Sequence, residues 1–364
     1  MTKSEARKII RDENAVIKKK KVLDYEWYSP RSMFGNDWAL FYILLGGREA
    51  GKSYAITEMF VRQWVKKKRP FYWLRLTEAS QKKLLNNNAE KLIDPDIRRK
   101  LPFEITTRGD GVYETHRDAK GKITKKVLMG RVLALSTFYN DKGNGLFDAD
   151  FLKDPNMYYN ICLDEFAREK NEKNSFDIVY AFTNQLENLV RSTKKRCRVI
   201  CIGNTLEEAS DILTAFNFIP EEFGRFYLRK KRCVVEYLEP SQSYLERRKG
   251  TIADILMPDA STFTNKVDVD TSLITKKRLI KPNYVIVFGK EKDKKFTVWD
   301  GNVIKPYNNE KVVQVPMRPY LDLTYNLERV NNIIQLFDCR QFLFRNLVTQ
   351  KLFKKQLSLL KPRK

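Results

Sequence analysis

Two short runs carry residue types that act on a triphosphate. The first is Gly46-Gly47-Arg48-Glu49-Ala50-Gly51-Lys52-Ser53, a G-x-x-x-x-G-K-S pattern. Its glycines let backbone N–H groups turn toward one point, and a helix starting there adds partial positive charge. Lys52 would reach the β- and γ-phosphates and the Ser53 hydroxyl would bind Mg²⁺. Gly46, Gly47, Arg48, Gly51 and Tyr54 would line the same nucleotide cradle. The second run is Tyr158-Tyr159-Asn160-Ile161-Cys162-Leu163-Asp164-Glu165, apolar and closed by two carboxylates. Asp164 would hold Mg²⁺, directly or through water, and Glu165 would polarise an attacking water as general base. Alone, such an acid pair is an ordinary strand end; downstream of a phosphate loop it reads as hydrolytic machinery.

These residues need a particular scaffold. Ala39 to Leu45 is a short apolar run that reads as a buried strand, and residues 54–61 carry apolar side chains at helical spacing. Strand, glycine loop and helix are the context that a phosphate loop requires. Lys66-Lys67-Lys68-Arg69 reads as a helix end and residues 71–76 as the next strand, so the alternation predicts a mainly parallel α/β sheet. Residues 80–100 read as helical, and 103–135 as hairpins around Gly-Asp-Gly and Lys-Gly-Lys turns. A helix is expected over 176–191, then a buried strand from Val199 that ends on Asn204. In P-loop ATPases with an additional strand between their two motif strands, the ASCE class, that polar end senses the γ-phosphate, so Asn204 is a candidate. Arg191, Arg196 and Arg198 sit where an arginine finger could reach a neighbouring subunit's nucleotide. Upstream, 23–37 reads as a loop with Trp27, Tyr28, Pro30 and Phe34 as packing anchors, near where an adenine ring is often covered.

Composition bounds the function. At 364 residues, two domains are expected. The 69 basic and 45 acidic residues give a net charge of +24, well beyond the magnitude of ~2–8 that serves solubility. A polyanionic partner is the natural explanation. The five cysteines and lone His116 show no zinc spacing and read as reduced thiols. No apolar run approaches the ~18 residues of a membrane span and no signal peptide is recognisable, so a soluble intracellular protein is expected. The boundaries read as a basic arm and lead-in at 1–36, an ATPase domain at 37–238, a linker with a short helix at 239–264 and a C-terminal domain at 265–364. In that last domain 283–289 and 295–301 read as a hairpin and 312–315 as a further strand. The chain reads as helical from Leu327 onward. From Arg340 to Lys364 it has basic but no acidic residues, which suits contact with DNA or structural RNA.

The runs 46–55, Phe71-Tyr72-Trp73-Leu74-Arg75, 163–170 and 196–204 together resemble the DNA packaging (encapsidation) ATPases of small protein-primed, short-tailed bacteriophages. The resemblance is strong over about 37–230 and thin beyond. It implies a homopentameric ring at the phage portal that translocates double-stranded DNA into a procapsid using ATP and Mg²⁺. A prohead RNA is a partner that the sequence leaves open. Lys52 and Ser53 then take the Walker A roles, Asp164 the Walker B role and Glu165 that of catalytic glutamate. Arg191 best matches the family's arginine finger, with its neighbours still open, and Lys142 matches a lysine acting across the subunit interface. The loop between Lys142 and Asp164 is longer than the family pattern, and Glu78 stands where the family tends to be basic. The C-terminal domain resembles a degenerate RNase H-like nuclease, so no nuclease activity is expected. The setting implied is the host bacterial cytoplasm, transiently at the portal vertex and not in the mature virion. Two other functions compete: a P-loop helicase or loader, which would separate strands, and a nucleotide-regulated binding module, which would not turn ATP over.

Overall fold

The computed structural model describes residues 24–35, 38–142, 158–167, 176–190, 197–204, 210–256, 271–275, 282–287, 295–300, 311–314 and 327–360. The chain forms two compact units, one of residues 1–212 with 222–268 and one of 213–221 with 269–364.

In chain order the elements of the first part are β1 (Phe41–Leu45), α1 (Lys52–Lys67), β2 (Phe71–Arg75), α2 (Glu78–Ala89) and α3 (Pro95–Arg98). The strands β3 (Glu104–Arg108), β4 (Gly111–Arg117), β5 (Ile123–Ala134) and β6 (Tyr159–Asp164) follow. Next come α4 (Ile178–Val190), β7 (Cys197–Gly203), the short α5 (Asp211–Ala215), β8 (Gly224–Leu228), β9 (Cys233–Tyr237), α6 (Gln242–Arg248) and α7 (Ile252–Leu256). The nine strands form one sheet in the order β3-β4-β5-β2-β6-β7-β1-β9-β8. The six strands from β5 to β9 in that order pair in parallel, and β3, β4 and β8 add antiparallel edges. The mainly parallel sheet is therefore found, with β7 between β1 and β6 as the additional-strand class requires.

Central parallel strands are covered on both faces and so read as unbroken apolar runs. Every residue of β6 is buried, as is all of β1 after Phe41. Helix α1 turns Ile56, Phe60, Val61 and Trp64 inward, and the Phe60 ring lies 5.8 Å from Phe71 and 6.1 Å from Trp73. It stops at Lys68, which takes a left-handed φ of 47° and returns its N–H to the Trp64 carbonyl. Just inside that end, the buried Glu114 of β4 accepts from Trp64 Nε1 and His116 Nε2, both at 2.7 Å, and from Lys68 Nζ. Burial alone would raise this carboxyl, but the His116, Lys68 and Trp64 donors outweigh it and hold it at about 2.

The helix expected over 80–100 is interrupted. Asn86, Asn87 and Asn88 leave helical geometry, the last two with φ of 51° and 57°. Asparagine tolerates this left-handed conformation better than most residues. The Asn88 side chain then accepts from the Thr107 backbone, which fixes the turn toward β3. The strand β5 and its partner β4 extend past the sheet as a hairpin, where residues 117–126 are all exposed.

The other unit contains β10 (Pro282–Val287), β11 (Lys295–Asp300), β12 (Lys311–Gln314), α8 (Leu327–Asp338), β13 (Phe342–Phe344) and α9 (Leu347–Leu360). The expected hairpin and third strand form an antiparallel β10-β11-β12 meander. The chain is not continuously helical after Leu327. Arg340, at a φ of 56°, turns it, and Phe342-Leu343-Phe344 pairs in parallel with β12. Alternating aromatics suit a strand buried on one face, and both Phe342 and Phe344 pack on Phe353 of α9, at 5.4 and 5.5 Å.

Candidate nucleotide site

The site stands at the carboxyl ends of β1, β6, β7 and β2. This is where an open parallel α/β sheet presents ligands to the loops and helix starts that follow its strands. A cavity of ≈ 470 Å³ there is lined by Trp27, residues 48–54, Asp164, Glu165, Ile202, Gly203 and Asn204. The glycine loop leaves β1 with Gly46 pressed on Leu238, where an added Cβ would come within 2.9 Å of Cδ1. Gly51 opens α1 in a left-handed conformation, φ 84°, and Glu49 shares that conformation at φ 60°. Lys52 is buried, and its ammonium donates to the Gly46 and Gly47 carbonyls at 2.8 and 2.5 Å. Burial lowers its pKa to about 8, a fall that Asp164 and Glu165 partly offset.

Asp164 ends β6, whose parallel register with β7 carries it level with Ile202 and brings its carboxylate to α1. The Ser53 hydroxyl donates to Asp164 Oδ1 at 3.2 Å. One hydroxyl and one carboxylate oxygen, side by side in a site with a buried ammonium, form the hard-oxygen donor set that suits Mg²⁺ beside phosphates. Glu165 follows in a left-handed backbone, φ 55°, an uncommon state for a non-glycine residue and one that clusters at functional sites. The turn is held because Phe166 is fully buried and its N–H donates to the Ile202 carbonyl at 3.3 Å. The Phe166 ring lies so close to Gly203 that a Cβ there would meet Cε1 at 2.7 Å. The sheet thereby places Asn204, the next residue, at the same cavity as Glu165.

One site residue was not singled out by the sequence reasoning. Arg75, the last residue of β2, donates through Nη1 to Asp164 Oδ2 at 2.8 Å and pairs through Nη2 with Glu165 Oε2. A single guanidinium thus bridges both acids, which a point-charge ammonium could not do with the same geometry. A charged residue closing an otherwise buried strand was the available signal.

A second unexpected neighbour is α6, from the stretch read as linker. Its N-terminal Ser241 caps it by accepting from the Tyr244 N–H. The Tyr244 hydroxyl and Arg248 Nη1 then both donate to the Arg48 carbonyl, at 2.9 and 3.1 Å. Arg247 Nη2 donates to the Glu49 carbonyl at 2.6 Å. The helix therefore satisfies the outward-facing carbonyls of the phosphate loop. Trp27, expected as a packing anchor, is instead 56% exposed, whereas Tyr28 is buried and donates its N–H to the Ala50 carbonyl at 2.9 Å.

The remaining candidates stand apart. Lys142 is exposed at the end of the 3-10 turn Leu135–Asp141 and does not line the cavity. Its turn is tied to α4 by Gln185, which donates to Asp141 Oδ2 at 2.7 Å. The Arg198 guanidinium lies over Tyr158 and Phe34, 4.6 and 4.9 Å from the ring centres, in the amino-terminal part of β7. It is thus at the opposite end of that strand from Asn204. Arg191, Arg196 and residues 1–23 of the basic arm lie outside the described residues.

A family model described as Podovirus DNA encapsidation protein (Gp16) matches residues 22–325. A relative named DNA packaging protein, from Bacillus phage PZA, is 25% identical over 272 residues, 74% of this chain and 71% of that one. Its namesake from Bacillus phage phi29 is 25% identical over 257 residues, 69% of each chain. A structure of the bacteriophage Phi-29 viral genome packaging motor assembly shares the fold, with a TM-score of 0.58 at 22% identity. The match covers 91% of this chain and 100% of that one.

Proposed function

The chain belongs to the Podovirus DNA encapsidation protein family, and from that membership we propose an ATP-driven translocase that packages double-stranded viral DNA into a preformed procapsid. The observation that carries the reading is the turn after β6. There Asp164 and Glu165 face a buried lysine and a serine across one cavity, with Asn204 on the adjacent strand end.

ATP enters with its phosphates against the 46–53 loop. Lys52, now bonded to two loop carbonyls, exchanges them for β- and γ-phosphate oxygens. Ser53 and Asp164 are the residues that would hold Mg²⁺, which supplies charge neutralisation along the triphosphate when bound. Glu165 accepts the proton of the attacking water, and Asn204 reports the γ-phosphate. Arg75 pairs with the Glu165 carboxylate, so the base is freed when that pair opens. Arg191, with Lys142, acts on the neighbouring subunit's nucleotide in a ring of five.

The +24 charge supports a nucleic-acid track. The C-terminal unit is read as a nuclease relic that binds DNA, portal or prohead RNA without cutting; what supports this is the succession of three strands, helix, strand and helix among the described residues after 281. The work takes place in the host cytoplasm at the portal vertex.

The test is DNA-stimulated phosphate release together with packaging into purified empty proheads, with and without ribonuclease treatment. Glu165→Gln should bind ATP and package nothing. Turnover in that variant equal to wild type would remove Glu165 from the mechanism.

A further inference from the structure

Trp27 is 56% exposed, and it borders the nucleotide cavity. A single exposed aromatic is ordinary on a protein surface; what sets Trp27 apart is that it borders this cavity and is held there. Its position is built. The backbone of Tyr28 is bonded to Ala50, and the Trp27 ring lies against Gly51, where an added Cβ would meet Cε3 at 3.1 Å. The Arg247 guanidinium sits 3.8 Å from the ring centroid, and its Nη2 is held by the Glu49 carbonyl. Only 20% of the Arg247 side chain is exposed, and its Nε is buried without a hydrogen-bond partner among the described residues, as suits a guanidinium laid over a ring. One aromatic ring is thus fixed by the phosphate loop and by α6 while the residue remains exposed at the cavity's border.

We propose that Trp27, backed by Arg247, is the platform on which the nucleotide's base stacks. The inference deepens the nucleotide site above and rests on that site's binding a triphosphate. The Trp27–Arg247 stack costs the protein no rearrangement when the base arrives, because the ring is already oriented. Recognition goes through the face of the base rather than its edge, so purines, with the larger face, gain more than pyrimidines. Trp27 is a positioning and affinity residue and touches no reacting atom.

The test measures ATP and inorganic tripolyphosphate binding to the full chain by competition against a fluorescent ATP analogue. Trp27→Ala should weaken ATP by about 5- to 150-fold, the range for losing one base–aromatic stack. Tripolyphosphate, which has no base, should bind wild type and Trp27→Ala equally. Trp27→Phe should restore most of the ATP affinity, and Arg247→Ala should give a smaller loss confined to ATP. Unchanged ATP affinity in Trp27→Ala, with tripolyphosphate still binding, overturns the proposal and leaves the phosphate site standing. Equal losses for both ligands mean that Trp27 only supports the loop, which also overturns it. Failure of tripolyphosphate to bind the wild type would instead refute the phosphate site.

Discussion

Lys52 is held by two carbonyls in a buried place that disfavours its charge, and a triphosphate would reverse that preference. Burial lowers the Lys52 ammonium to about 8 from its ordinary 10.5, and a bound polyanion would raise it again. Between about pH 8 and 10 Lys52 should therefore take up as much as one proton on nucleotide binding, and near pH 6.5 Lys52 contributes none. Titration calorimetry in buffers of different ionisation enthalpy reads that uptake directly. Lys52→Ala should abolish phosphate release while DNA affinity, carried by charge elsewhere, stays largely intact. Arg75 is the residue-scale surprise. Arg75→Ala should raise the DNA-independent rate relative to the DNA-stimulated one, because nothing then holds Glu165; Arg75→Lys should fall between. Phosphate release with and without DNA decides it. That Lys52, Ser53, Asp164 and Glu165 would meet at one cavity was legible, because each stands in a short local pattern at the end of a strand or the start of a helix. Arg75 was not, because its role depends on β2 lying beside β6, a pairing between residues about ninety positions apart that no local pattern encodes.

At the scale of elements, the parallel core could be read from apolar runs and glycine turns, and the strand order sets β7 between β1 and β6, which brings Asn204 to the cavity. Two readings failed locally. The Asn86–Asn88 break stops a helix whose composition would otherwise continue it, and β13 is a strand only because β12 offers it an edge. Pairing partners decide such short segments, and partners are invisible in a window of sequence. The link between β6 and β7 makes a sharp prediction. Gly203→Ala would place a methyl 2.7 Å from the Phe166 ring and 3.1 Å from Leu45 Cδ2. With Phe166 fully buried, overpacking should cost about 1–3 kcal/mol, seen in denaturant unfolding, and should lower the turnover rate by moving the Glu165 turn. The Glu114 cluster sets an acid limit at the far end of α1. Its folded carboxyl, near 2, lies below the ordinary unfolded value of about 4.3, so its stabilisation is complete above about pH 4.3 and is lost as pH falls toward 2. Glu114→Gln should flatten the stability–pH profile over that window.

For the whole molecule, charge and subunit cooperation set the predictions. Binding to DNA should weaken steeply with salt, each neutralised phosphate adding about 0.9 to the slope of log affinity against log salt. If Arg191 completes a neighbour's site, rings mixed from Arg191→Ala and Glu165→Gln subunits should partly recover ATP turnover, since one interface type then holds both groups. No recovery at any mixing ratio, with ring formation verified, would count against a trans finger. The +24 charge was plain in composition, yet the faces that carry it onto DNA are a property of surface arrangement and assembly, which composition does not contain.

The seat of α6 on the phosphate loop has a mechanical corollary. Tyr244, Arg247 and Arg248 fasten the chain to the Arg48 and Glu49 carbonyls, while Ser241 and Ser243 bond Tyr25 and Asp24, so part of any tension applied beyond α6 would reach the P-loop through the first three side chains. A motor hauling a resisting cargo would feel its load there, at the point where nucleotide is gripped. Nucleotide affinity should then vary with opposing force, and an optical trap would see the ATP concentration for half-maximal speed shift with load. Shortening these contacts' reach, as in Arg247→Ala, should make that concentration less sensitive to force.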